Sequence, residues 1–178
     1  KLADGFLAGY PRVFGLAWAF VAHTDSRFEP EALRRFVLAY QHAEPLKIGE
    51  LWAIAITLRI VLVENLRRIA ERIVHERISR QEADCLADGL LGLGARPRAK
   101  AATALADLEK APLPTAFAVQ LLQRLREQDP DHVPALRWLG ERLAAQGTNT
   151  EEIVGREHQR QAAMNITVRN IVTSMRLM

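Results

Sequence analysis

One cysteine, Cys85, stands in 178 residues, so no internal disulfide can form and the chain has the cysteine usage of a reducing compartment. Its setting in Ala83-Asp84-Cys85-Leu86, on an apolar helical face, predicts a packed core thiol rather than a reactive one. The usual motifs of chemistry are missing as well. There is no glycine-rich phosphate loop, no Cys-x-x-Cys, no His-Glu-x-x-His and no Gly-x-Ser-x-Gly. The histidines His23, His42, His75, His132 and His158 fall on different segments at no ligand spacing. No catalytic residue, metal or cofactor is therefore expected in this chain. Blocks of like charge and aromatic-basic stripes are also absent, and nucleic acid is not an expected partner. The most apolar run, residues 48–63, contains Glu50 and Arg59. A membrane span needs about 20 apolar residues, and a central arginine costs about 2.5–3.5 kcal/mol on the mildest scale. This run reads as the buried central helix of a bundle, not as a span.

What is present is ordinary globular material. Apolar residues make up 49% of the chain and charged residues 25%, which excludes a disordered polymer. A chain of this length buries roughly 70% of the surface its unfolded form exposes, so it needs no staples. The net charge is +3, carried mostly by arginines beside glutamates. Glu64 with Arg68 and Glu76 with Arg80 have the i,i+4 spacing of solvated helix faces. The expectation is one helical domain over residues 1–178, with a weaker sub-boundary near residues 93–98.

Glycine, proline and asparagine divide the chain into lengths that suit helices, and no segment alternates with period two. Residues 10–23 are apolar almost all round, with Pro11 suited to a first turn. A second helix starts at Pro30-Glu31 with Leu33, Phe36, Val37 and Tyr40 on one stripe, and Pro45 ends it. A third runs over residues 48–77 with Leu51, Ala55, Leu58, Leu62, Leu66, Ile69 and Ile73 inward. Ser79 and Glu82 have capping-box spacing, which predicts a restart or kink before Gly92-Leu93-Gly94. Arg96-Pro97-Arg98 then links to an alanine-rich helix over residues 99–110. Next come a helix capped by Thr115 with Phe117, Leu121 and Leu125 inward, and one set up by Asp129-Pro130 and Pro134. The latter turns Leu136, Leu139 and Leu143 inward and closes at Gly147. Thr148 with Glu151 has capping-box spacing before a last helix with Met164, Val168, Ile171 and Met175 on its apolar side. The fold class is all-α: an irregular bundle of about six to eight helices around a long central one. The chain opens without methionine and stops at Met178 with no cap or polar tail, so it is expected to be a fragment of a larger protein.

Four constellations carry the polar chemistry. In Ile48-Gly49-Glu50-Leu51-Trp52-Ala53, Glu50 and Trp52 read either as helix capping plus packing or as a carboxylate beside a sugar-stacking ring. Arg59, Glu64 and Asn65 sit in an apolar stretch, where polar groups are expected to meet partners from another helix or, alternatively, a ligand. His23-Thr24-Asp25-Ser26-Arg27 is explained as a turn and cap, with an interface role as the rival. On the last helix Asn165, Arg169, Thr173 and Arg176 form a polar stripe of amide and guanidinium groups. Such a stripe reads as an ordinary solvated face or as a surface for docking another domain.

Several of these strings carry a family resemblance. Tyr10-Pro11-Arg12-Val13-Phe14-Gly15-Leu16-Ala17-Trp18-Ala19-Phe20-Val21-Ala22-His23-Thr24-Asp25-Ser26-Arg27 and Ile48-Gly49-Glu50-Leu51-Trp52-Ala53 resemble the N-terminal region of the cyclic β-1,2-glucan synthases. Leu58-Arg59-Ile60-Val61-Leu62-Val63-Glu64-Asn65-Leu66-Arg67-Arg68 and Glu157-His158-Gln159-Arg160-Gln161-Ala162-Ala163-Met164-Asn165 do so too. The resemblance covers nearly the whole chain and is weakest over residues 93–134. It implies a very large parent of the bacterial inner membrane, with cytoplasmic UDP-glucose-dependent transferase machinery, several spans and a phosphorylase-like region that trims the glucan. This chain is similar only to the helical segment ahead of the first span, and none of the family's catalytic residues has a counterpart here. Lys47 departs from the threonine expected before Ile-Gly-Glu, which puts the side-chain cap of the third helix in question.

The resulting reading is a non-catalytic accessory domain on the cytoplasmic side of the membrane. Its partners would be the remaining domains of the parent and the protein-bound glucan. The candidate interface or ligand residues are Glu50, Trp52, Arg59, Glu64, Asn65, Asn165, Arg169 and Arg176. Two rivals stay open: a β-glucan-binding module using Trp18, Trp52 or Trp138, and a free-standing regulatory helical protein that binds a partner or DNA.

Overall fold

The computed structural model describes residues 1–93, Leu105, Leu108, 112–126 and 133–178. Among them are six helices and no strand, as the periodicity predicts. They are α1 (Arg12–His23), α2 (Pro30–Ala43), α3 (Ile48–Leu91), α4 (Thr115–Arg126), α5 (Val133–Ala145) and α6 (Thr150–Leu177). The expected alanine-rich helix over 99–110, the Arg96-Pro97-Arg98 connector and the Asp129-Pro130 start lie outside the described residues. The chain forms two compact units, Lys1–Ala70 with Ala163–Met178, and Glu71–Ala162; α3 and α6 contribute to both.

In the first unit, α1 is apolar because it is central to the core. Val13, Leu16, Ala17, Phe20 and Val21 are buried with Ile54, Leu58, Val61, Leu62 and Ile69 of α3, Val37 of α2 and Ile171 of α6. Burying one such leucine stabilises by about 1.5–3 kcal/mol. Pro30 opens α2, and α2 stops at Ala43 ahead of Pro45, as a residue without an N–H requires. In the second unit, Phe117, Leu121 and Leu125 of α4 meet Leu139 and Leu143 of α5, Ala83, Leu86 and Ala87 of α3, and Ile153 of α6. Gly147, with φ of +70°, ends α5 in the left-handed region that glycine occupies freely.

Five expectations need correction. α3 neither restarts nor stops at Ser79–Glu82 but runs on to Leu91. No proline or glycine interrupts residues 77–82, and continuing carries Ala83, Leu86 and Ala87 into the second core. Cys85 is exposed, because one residue's step of about 100° turns it away from the face that buries Leu86. On the predicted inner face of α3, Leu58, Leu62 and Ile69 are buried, but Leu51, Ala55 and Ile73 are exposed. Met175 on α6 is exposed as well; Ser174 takes the inward place after Ile171. Finally, the cap of α6 is Asn149, whose Oδ1 accepts the Glu151 and Glu152 amides at 3.0 and 2.8 Å; Thr148 instead donates to the Glu152 carboxylate at 3.1 Å.

Candidate functional site

Glu50 sits in the first turn of α3 and serves two ends at once. Its Oε2 accepts the Lys47 amide at 2.8 Å, the backward arm of a capping box, so the missing side-chain cap at Lys47 is replaced from within the helix. Arg12, at the start of α1, grips the same carboxylate in bidentate fashion, Nε at 2.6 Å and Nη2 at 2.7 Å. The guanidinium also reaches the Pro45 carbonyl at 2.8 Å and Glu44 at 2.5 Å, and Tyr40 donates to Glu44 at 3.0 Å. The Arg12 hydrogen bond, then the Lys47 amide, lowers the Glu50 carboxyl to about 2. A carboxylate so committed is a clamp between α1 and α3 and not a proton donor. Its folded pKa lies below the unfolded one, so its contribution is complete above roughly pH 4.5 and lost as pH falls toward 2. Accordingly, Glu50→Gln should flatten the pH dependence of the denaturation midpoint between about pH 4.5 and 2. Equal slopes in the two proteins would remove the clamp from the account.

The turn between α1 and α2 is an intrachain junction. Asp25 and Ser26 both have positive φ, +48° and +64°. The Ser26 amide bonds to Val21 O at 2.8 Å, which satisfies a carbonyl at the end of α1 in the Schellman manner with aspartate in the place of glycine. The α6 side chains at every third or fourth position then hold this turn. Thr167 donates to Asp25 Oδ1 at 2.6 Å, Asn170 donates to Asp25 O at 3.0 Å, and Ser174 donates to Ser26 O at 2.7 Å. Ser174 Oγ also accepts the Phe28 amide at 2.8 Å, and Asn65 of α3 donates to Ser26 Oγ at 2.8 Å. Because a side chain in the left-handed region costs about 1 kcal/mol that glycine avoids, Asp25→Ala should destabilise more than Asp25→Gly by about that amount. Chemical denaturation of the two variants checks it; an equal loss would show that the side-chain bonds alone matter.

In the second unit, two carboxylates and two guanidiniums form a cluster. Glu157 is 2% exposed and Glu76 is also buried. Arg80 reaches Glu157 at 2.7 Å and Glu76 at 3.6 Å; Arg160 reaches Glu157 at 2.6 Å and Glu76 at 3.1 Å. Gln161 adds a hydrogen bond to Glu157 at 2.9 Å. Burial pushes the Glu157 carboxyl up, but the bonds from Gln161 and Arg80 and the charge of Arg160 outweigh it, leaving the pKa below the ordinary value. Glu76 and Arg80 are thus not the solvated pair their spacing suggested. A general acid needs a carboxyl that holds its proton near neutral pH, and Glu157 is tuned the opposite way.

The predicted site residues therefore separate. Glu50 is in the Arg12 clamp. Trp52, two residues on, is 83% exposed and does not pack. Arg59, also exposed, donates to the Met178 carbonyl. Glu64 pairs with Arg67 at 2.7 Å and Arg68 at 3.4 Å on its own helix, not with another one. Asn65 joins the turn. Asn165, Arg169 and Arg176 are exposed on α6, on a side other than the one that grips the turn. Of the other tryptophans, Trp18 lies under the Arg68 guanidinium, 4.7 Å from the ring centroid, and Trp138 packs against the second core. A groove of about 550 Å³, lined by Leu33, Val37, Leu51, Ala55 and Leu177 with Arg34, explains why Leu51 and Ala55 stay open. Nothing local in the sequence singles out Arg12, Glu44, Glu157 or Ser174: Arg12 and Glu50 are 38 positions apart and no local pattern joins them. Among the described residues no three His, Cys, Asp or Glu side chains gather as a metal site, and no helix is long and apolar enough to cross a membrane.

No protein-family model matches the chain. Over nearly its whole length, however, the chain is homologous to one segment of a cyclic glucan synthase. The relative is the cyclic β-(1,2)-glucan synthase NdvB of Rhizobium meliloti (strain 1021), 40% identical over 166 residues, or 93% of this chain. The chain spans 6% of the length of that relative.

Proposed function

We propose that this chain is a non-catalytic accessory segment of a cyclic β-1,2-glucan synthase, standing on the cytoplasmic side of the membrane and docking on the remaining domains of its parent. The observation that carries the reading is the 40% identity to so small a part of a synthase. The chemistry of the described carboxylates supports it: Glu50 and Glu157 are both held ionised by arginines, which suits structural clamps rather than acid–base catalysis. The exposed amide and guanidinium groups of Asn165, Arg169 and Arg176 are candidates for the docking face. Arg169→Ala with Arg176→Ala in the intact parent is expected to impair assembly and lower glucan synthesis. Unchanged assembly and activity would count against the docking face.

A second reading, direct contact with the protein-bound glucan, is favoured only by the exposure of Trp52. Sugar platforms pair a ring with polar groups for the hydroxyls, whereas Trp52 is flanked on its face by Ile48 and Ile56 and the nearby Glu50 is committed to Arg12. Calorimetric titration with linear β-1,2-glucan tests it: saturable binding abolished by Trp52→Ala would establish the contact, and no heat would dismiss it.

A further inference from the structure

Residues 48–63 of α3 are apolar on opposite sides. One side sends Ile54, Leu58, Val61 and Leu62 into the core. The other carries Ile48, Trp52, Ile56, Ile60 and Val63, each more than half exposed. These five step by four, four, four and three residues, which keeps them on one helical face. Single exposed apolar residues are commonplace, but this contiguous row presents on the order of 600 Å², the upper end of what a monomer shows. A helix apolar all round belongs in an interior, and this one is covered on one side only.

We propose that the bare side of α3 seats one further α-helix, supplied by the remainder of the synthase polypeptide; this rests on the reading that the chain works as part of such a synthase. The spacing of the row is that of a helix-on-helix seam. Pairing it would bury about 1,200 Å² in total, enough for a specific and stable contact. A bilayer surface suits a helix whose opposite face is charged, and here the opposite face is a core. The matched segment is 6% of its relative, so ample chain exists to provide the cover in cis.

The test is maleimide labelling of Ile56→Cys, made in a Cys85→Ser background because the native thiol is itself exposed. Fast labelling is expected in the isolated 178-residue chain. In the intact synthase, whether in membranes or in detergent, labelling at position 56 should slow by at least about ten-fold, with Glu31→Cys as an unchanged reference. Equal rates in chain and synthase would overturn the proposal. So would protection in the isolated chain with a dimer in sedimentation, which assigns the face to a second copy, or protection that detergent abolishes, which assigns it to lipid. Deletion of the segment from the parent without loss of assembly or synthesis would refute the accessory function instead, and the labelling ratio is scored independently of it.

Discussion

Replacing Glu157 by alanine is expected to destabilise the second unit by about 3 kcal/mol, the largest loss anticipated for any single polar side chain here. The carboxylate is 2% exposed and is the shared partner of Arg80, Arg160 and Gln161. Removing it leaves two guanidiniums facing the single charge of Glu76. Breaking a buried ion pair from one side costs about 3–5 kcal/mol, because the stranded charge keeps its desolvation penalty. The lower end applies here, since Arg80 and Arg160 are 33% and 37% exposed and water can reach them in part.

The pH dependence of the same variant gives an independent check. Glu157 has a folded pKa below its unfolded one, so its contribution is present above about pH 4.5 and is lost as pH falls through the folded value. The native chain should lose stability over that acid range, and the alanine variant should lose less. Hydrogen exchange along α6 separates this local effect from global unfolding. Parallel pH profiles for the two proteins would mean that the cluster is not what ties these helices together.

The cluster also illustrates what a sequence discloses. Helix existence was readable because its signals are local: apolar residues at steps of three and four, Pro30 opening α2, Gly147 closing α5. Ser79 and Glu82 are ambiguous because the capping-box spacing is also an ordinary i,i+3 pair on a helix surface. Only the packing of Ala83, Leu86 and Ala87 decides between them. Glu76 with Arg80 read as solvated because α6, some 80 positions away, is what buries the glutamate. Trp52, Ile56 and Ile60 belong to an apolar run, and the run cannot say whether a neighbour exists within the chain to cover each side. The resemblance to one segment of a cyclic glucan synthase carries no information on which residues clamp, cap or lie bare.

The junction beneath α6 supports the second large prediction. Ser174→Ala is expected to destabilise the first unit by about 2 kcal/mol, an unusual loss for so small a change. Both Ser174 and Ser26 are almost completely buried. The Ser174 hydroxyl donates to Ser26 O and accepts the Phe28 amide, so its removal strands a carbonyl and an N–H together, each worth about 1–3 kcal/mol when buried without a partner. Partial access of water to Phe28 brings the sum down, since that residue is not fully enclosed. The neighbouring exposed Thr173→Ala should stay within about 0.5 kcal/mol of the native chain, because it touches none of these bonds. Exchange of the Phe28 amide is the decisive reading: it should accelerate in Ser174→Ala and remain slow in Thr173→Ala. Were the Phe28 amide equally protected in both variants, the turn would be held by Asp25 with Thr167 and Asn170 rather than by the buried serines, and α6 would be anchored from its solvent-facing edge.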